Sequence, residues 1–259
     1  MDPAAMPTDR KDVTFSALFE ETLRLVKAYP IPLLGLPILL GIFTSAGNAK
    51  PQYKYTPTTF PNPLEYLPFY ALIGLLALVA IALLLLASAY VALVTTRAAL
   101  DAGATGSAPD LGAAMRGIKP QYSSGLGTFV LWVIAVVVGF ILLIVPGFIV
   151  LSGLFPTVAV VVAEGRFGTE ALRRAWNLTN GHKWTIFLFG LVVLLASGVA
   201  SAILGIIPLI GNVLGGIVSG AANGFLLVAA VVFYQRQTAS TPEAVPSVDV
   251  PPAAAPPAW

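Results

Sequence analysis

The chain of 259 residues contains no cysteine and a single histidine, His182. Without cysteine there are no disulfides, thiolate metal sites or thiol nucleophiles, and the redox compartment stays undetermined. One histidine cannot supply a His-based metal site or a catalytic histidine pair within one chain. Charge is scarce too: 10% of residues are Asp, Glu, Lys or Arg, against about 25% in a soluble domain. Phosphate loops and dinucleotide fingerprints are missing, because the glycines fall inside apolar runs without a strand–turn–helix context. These gaps argue against an enzyme, and no cofactor or metal is expected. What is present is apolar: 57% of residues are hydrophobic and the mean hydropathy is +0.87. A soluble fold could not hide that much apolar surface, so the chain reads as an integral membrane protein. Fourteen basic against twelve acidic residues leave a net +2, too small an excess to imply nucleic acid.

Runs of about 20 apolar residues without charges mark membrane spans. Six are found, at about 31–47, 68–96, 124–145, 148–163, 184–207 and 212–234, and none contains Asp, Glu, Lys, Arg or His. The first is short and interrupted by Pro32 and Pro37; the third and fourth are divided by the turn Pro146-Gly147. Barrel strands would alternate apolar and polar residues, and these runs do not. The expected fold class is therefore all-α integral membrane, with six transmembrane helices arranged as three hairpins. Residues 1–12 read as a disordered N-terminus, 13–237 as the membrane domain, and 238–259, with six prolines, as a disordered cytoplasmic tail. The segment between the first two spans carries Tyr53, Tyr55, Phe60 and Tyr66, which suit a cap at the membrane interface.

The few charges set an orientation. Twelve of the fourteen basic residues precede the first span, follow the last, or lie between spans two and three or four and five. Only Lys50 and Lys54 fall on the other side. Basic loops stay inside, so both termini are expected in the cytoplasm and the protein in the cell membrane. The apolar stretch Ile31–Phe43 is followed by small residues, as in a cleaved signal, but about thirty residues with Asp2, Asp9, Asp12, Glu20 and Glu21 precede it. That is unlike a short basic leader, and cleavage is not expected.

Each pair of spans is preceded by an amphipathic segment. In the first, Phe15, Leu18, Phe19, Thr22, Leu25, Val26 and Tyr29 share a face, with Glu20 and Arg24 spaced for an i,i+4 pair on the other. In the second, Asp110 can cap a helix carrying Leu111, Ala114, Met115 and Ile118. In the third, Thr169 can cap and Gly181 can end a helix carrying Leu172, Ala175, Trp176 and Thr179, with Glu170 and Arg174 as its i,i+4 pair. Such helices lie in the interface, basic face to headgroups, or serve as linkers packed on the bundle.

Small residues recur every four positions in the last two spans: Gly216, Gly220 and Gly224, and Ser197, Ser201 and Gly205. Such stripes let helix backbones approach closely. They are expected to pack spans five and six together; the sharper alternatives are a homo-oligomer interface or a movable gate. Asn223, a polar group inside the sixth span, suits an interhelical hydrogen bond, or else contact with a substrate. Ion-coupled carriers place ionisable residues at mid-membrane. Here Glu164 lies only at the end of span four, and pairing with Arg166 or the following helix is expected.

From Pro146 to Phe187 the chain has a Pro-Gly turn, a span ending in Glu164-Gly165, then a helix with Ala171, Leu172, Arg173, Arg174, Trp176, Leu178, Thr179 and Gly181, then Trp184 in a further span. This pattern resembles the membrane domain of the glycerophosphoryl diester phosphodiesterase membrane-domain family. The resemblance implies a six-span bundle in the cytoplasmic membrane and no esterase activity, since in fused enzymes that chemistry belongs to a separate soluble barrel. The expected function is a non-enzymatic scaffold, regulatory or lipid-interacting module. Arg173, Arg174, Trp176 and Lys183 would meet anionic headgroups or a protein partner on the cytoplasmic face. The alternative is a permease or lipid transporter for a neutral or lipid substrate, lined by the small-residue stripes and Asn223.

Overall fold

The computed structural model describes residues 13–46, 67–207 and 210–239. The expectations for the N-terminal twelve residues, the segment with Tyr53, Tyr55, Phe60 and Tyr66, and the Pro/Ala-rich tail lie outside the described residues. Among those described, every regular element is helical: α1 (Phe15–Ala28), α2 (Pro30–Ala46), α3 (Leu67–Thr105), α4 (Leu111–Ile118), α5 (Tyr122–Leu142), α6 (Ile144–Gly153), α7 (Thr157–Glu164), α8 (Gly168–Leu178), α9 (Lys183–Leu204) and α10 (Gly211–Ala239), with a 3-10 turn at Lys119–Gln121. Helices satisfy their own backbone groups, which is what a hydrocarbon environment demands. Among the described residues five stretches are long and apolar enough to cross a membrane, and α1 with α2 makes a sixth when the pair, bent by 94°, is counted as one span. The protein is an all-α, multi-pass membrane protein.

The 94° bend has a local cause. Proline at 30 disfavours helical backbone at the residue before it, and Tyr29 accordingly leaves the helical region (φ −135°, ψ 62°). Its hydroxyl then donates to Gly106 O at 2.6 Å, which ties the elbow to the end of α3. α3 has 39 residues and is about 58 Å long, well beyond the 68–96 expected for the second span. Its extension past the apolar run carries Arg97 and Asp101 as an i,i+4 pair at 3.3 Å.

Two boundaries differ from the sequence reading. The chain reverses between the third and fourth spans at Leu143 (φ −172°, ψ 151°), and Pro146 and Gly147 belong to the first turn of α6. Proline is tolerated there because the first turn has no N–H bond to lose. The fourth span is broken at Leu154–Pro156 between α6 and α7. Leu154 O accepts both Thr157 N at 3.1 Å and Thr157 Oγ1 at 2.7 Å, which closes the break.

Packing is concentrated at the charged end. The buried cluster joins Leu18, Leu25 and Val26 of α1, Val94, Ala98 and Ala99 of α3, Ile118 of α4, Val160–Val162 of α7, Ala171 and Ala175 of α8, and Val228, Ala229, Val231, Val232 and Phe233 of α10. The apolar faces of α1, α4 and α8 are thus spent on the protein's own core. Aromatic rings at the rim of α1 extend it: Phe15 meets Phe189 and Phe19 meets Phe225, both at 5.7 Å. Toward the opposite end the described helices spread apart, and α3 from Tyr70 to Leu83 is exposed at every position.

Candidate functional site

The charged end of the fourth and fifth spans brings most of the candidate residues together. α7 stops at Glu164 because Gly165 takes a left-handed conformation (φ +63°) that is costly for residues with a Cβ. The carboxylate of Glu164 then becomes a junction. Arg174 Nε donates to Oε1 at 3.1 Å, Tyr234 OH donates to the same oxygen at 3.2 Å, and Arg166 Nε lies 2.9 Å from Oε2. That last pair is an ion pair without hydrogen-bond alignment, since Oε2 is buried and accepts no hydrogen bond. The side chains of Glu164 and Arg174 are only 14% and 22% exposed, and charges so placed need partners.

Arg174 is therefore directed to Glu164 rather than into the expected i,i+4 pair with Glu170. The N-terminus of α8 also differs from expectation. Thr169 lies inside the helix and Phe167 is the cap residue, without a side-chain bond. The cap comes from another span: Gly168 N donates to Thr128 Oγ1 at 2.7 Å, and Thr128 Oγ1 itself donates to Ser124 O. Asp110 does cap α4, accepting from Gly112 N at 2.8 Å.

Trp176, Lys183 and Arg173 form the exposed part of the site. The Trp176 indole lies on the backbone of Gly153, where no side chain would fit, and Lys183 Nζ sits 3.3 Å above the ring centroid. A cation over an indole face is held electrostatically by the ring quadrupole. Thr179 fixes the stack from below, its buried Oγ1 donating to Gly153 O at 2.9 Å. Gly181, at φ +84°, reverses the chain so that Lys183 returns over Trp176. Arg173 is exposed one turn before Trp176. Trp184 is 70% exposed beside them and stacks on Phe187 at 5.2 Å, an aromatic pair of the kind found at membrane interfaces.

The small-residue lines do something different from what their spacing suggested. Gly216, Gly220 and Gly224 face the first span, not the fifth. A methyl group at Gly216 would fall 2.9 Å from Ile42 Cα, at Gly220 2.6 Å from Ile38 Cα, and at Gly224 3.1 Å from Pro37 Cγ. The contact with span five uses the neighbouring line: Gly211 lies against Gly205, and Ser201 Oγ reaches Gly215 O at 3.5 Å. Ser197 bonds back to Leu194 O of its own helix at 3.0 Å and bonds to no other helix among the described residues. Asn223 likewise makes an intrahelical bond, Nδ2 donating to Ser219 O at 2.9 Å, and it is exposed. The expected interhelical bond within the bundle is not formed.

Tyr234, Thr128 and Gly153 were not legible as site residues, because each acts on a residue distant in sequence. At the far side of α10, Arg236 Nε pairs with Glu21 Oε2 at 2.6 Å, which clamps α1 rather than leaving it to a Glu20–Arg24 pair. A cavity of about 10 Å³ between α3, α5 and α7, lined by residues including Ala92, Thr128 and Thr157, has room for about one water. No group of His, Asp or Glu among the described residues is placed to hold a metal. No protein-family model matches the chain, and neither a curated protein nor a solved structure matches it.

Proposed function

We propose that the chain is a non-enzymatic module of the cytoplasmic membrane, with both termini inside, that binds anionic lipid headgroups on its cytoplasmic face and acts there as a scaffold or regulator. The observation that carries this reading is the Lys183–Trp176–Gly153 stack with Arg173 beside it. Neither Arg173 nor Lys183 has an acidic partner among the described residues, so both charges are available. The stack holds Lys183 at a fixed place beside exposed Trp184, at the level where headgroups lie. The resemblance to the phosphodiesterase membrane domain fits a membrane module of this kind. The small-residue lines that a transporter would use are occupied by helix packing, which weighs against the permease reading.

Each basic residue near an anionic leaflet contributes about 1 kcal/mol, so two together are worth roughly a thirtyfold preference. The test is the preference for a fluorescent phosphatidylglycerol over phosphatidylcholine around the chain in nanodiscs. R173Q/K183Q should lower it by about that factor. An unchanged preference refutes the site.

A further inference from the structure

The sixth span presents an amide to the outside of the bundle. Asn223 uses one N–H on Ser219 O, and its second N–H and its Oδ1 have no partner among the described residues. It lies twelve residues from the start of α10 at Gly211, about 18 Å along the helix, near the middle of a hydrocarbon layer about 30 Å thick. Unpaired amide groups there are costly. At 100° per residue, the line 216/220/224 faces α2 and the line 211/215 faces α9. Asn212, Ser219 and Asn223 fall on a third line between them, and all three are exposed.

We infer that this line is where two copies of the chain meet, with Asn223 of each paired to the same amide of the other. The argument for a second copy is complementarity at equal depth. An amide carries both donor and acceptor, so it satisfies its own kind reciprocally. The asymmetry of basic residues gives every copy one orientation, which puts Asn223 at one depth in all of them. A twofold axis along the membrane normal then sets the two amides against each other, the commonest symmetry of homo-oligomers. Ser219, one turn before Asn223 on the same line, is small, so the helices can approach. The other bare surface, the outer half of α3, offers no polar side chain from Ala71 to Ala87 and creates no comparable demand.

The absence of native cysteine makes the test clean. N223C and S219C are expected to form disulfide-linked dimers on mild oxidation in membranes, whereas L195C, on the exposed face of α9, stays monomeric. N223L should keep the fold, since the amide faces outward, while weakening self-association in bilayers by about three- to twentyfold, the range for single polar contacts between membrane helices; N223Q should recover it. Cross-linking of N223C no greater than that of L195C overturns the proposal. So does association of N223L equal to the parent, or cross-linking of N223C only to a different protein.

Discussion

Replacing Gly220 with alanine sets two physical effects of opposite sign against each other. Considered as a helix residue alone, alanine is favoured over glycine by about 0.5–1 kcal/mol, through reduced backbone entropy. Considered in its contact, the added methyl would sit 2.6 Å from Ile38 Cα, where carbon atoms prefer about 3.5–4.0 Å. The obstruction is backbone, so no side chain can rotate away, and α2 and α10 must part by roughly 1 Å. Overpacking of this kind costs about 1–3 kcal/mol, and a gap of that size forfeits about a quarter to a half of the dispersion along the seam. In lipid no hydrophobic term between helices compensates. The net expectation is a loss of about 1–2 kcal/mol. Gly198, inside α9 with nothing within 4 Å of a Cβ, is the control, and G198A should be neutral or gain up to about 1 kcal/mol. The measurement is equilibrium unfolding in mixed micelles titrated with a denaturing detergent. G41A addresses the same contact from the other helix, so G41A/G220A should cost less than the two singles added. If G220A proves as stable as G198A, the glycine line is not the seam between the first and last spans.

Two further outcomes concern the charged end. E164Q keeps the hydrogen bond from Tyr234 but strips the charge that Arg166 and Arg174 share, and should cost about 1–3 kcal/mol, mainly through loss of the less exposed ion pair, the one with Arg174; thermal unfolding of E164Q beside R166Q, whose arginine is half-exposed, separates the two contributions. E21Q should loosen α1 by about 0.5–1 kcal/mol, given side chains 32% and 25% exposed in the pair with Arg236. Faster amide exchange over residues 15–28, with α9 unchanged, is the expected signature, and the difference should shrink at high salt.

Much of the architecture could be read because a membrane imposes a coarse rule. Stretches without charge must be helices, and the interruptions carry the polar residues. The extension of α3 to Thr105 escaped that rule because Arg97 and Asp101 end the apolar run without ending the helix. The four-residue spacing of the glycines revealed a close approach but not the neighbour, since α2 arrives at α10 only through the tertiary fold. Glu164 and Arg166 are two residues apart in sequence and were expected to pair; Tyr234, seventy residues away, could not be assigned. The direction of Asn223 was within reach. It precedes Gly224 by one residue, and 100° of rotation takes it off the packed line.

The unequal packing from end to end has a consequence for how the protein meets bilayers of different thickness. At the charged end, α1, α3, α7, α8 and α10 share one buried cluster, so their inclination to the membrane normal is set jointly there. Beyond it α3 continues through Tyr70–Leu83 with every residue exposed, so that among the described residues no buried packing fixes its inclination there. A thinner bilayer is therefore met by tilting of that exposed stretch, at a fraction of a kcal/mol per ångström of mismatch, while the packed end keeps its register. The hydrophobic thickness the protein presents is fixed in one leaflet and adjustable in the other.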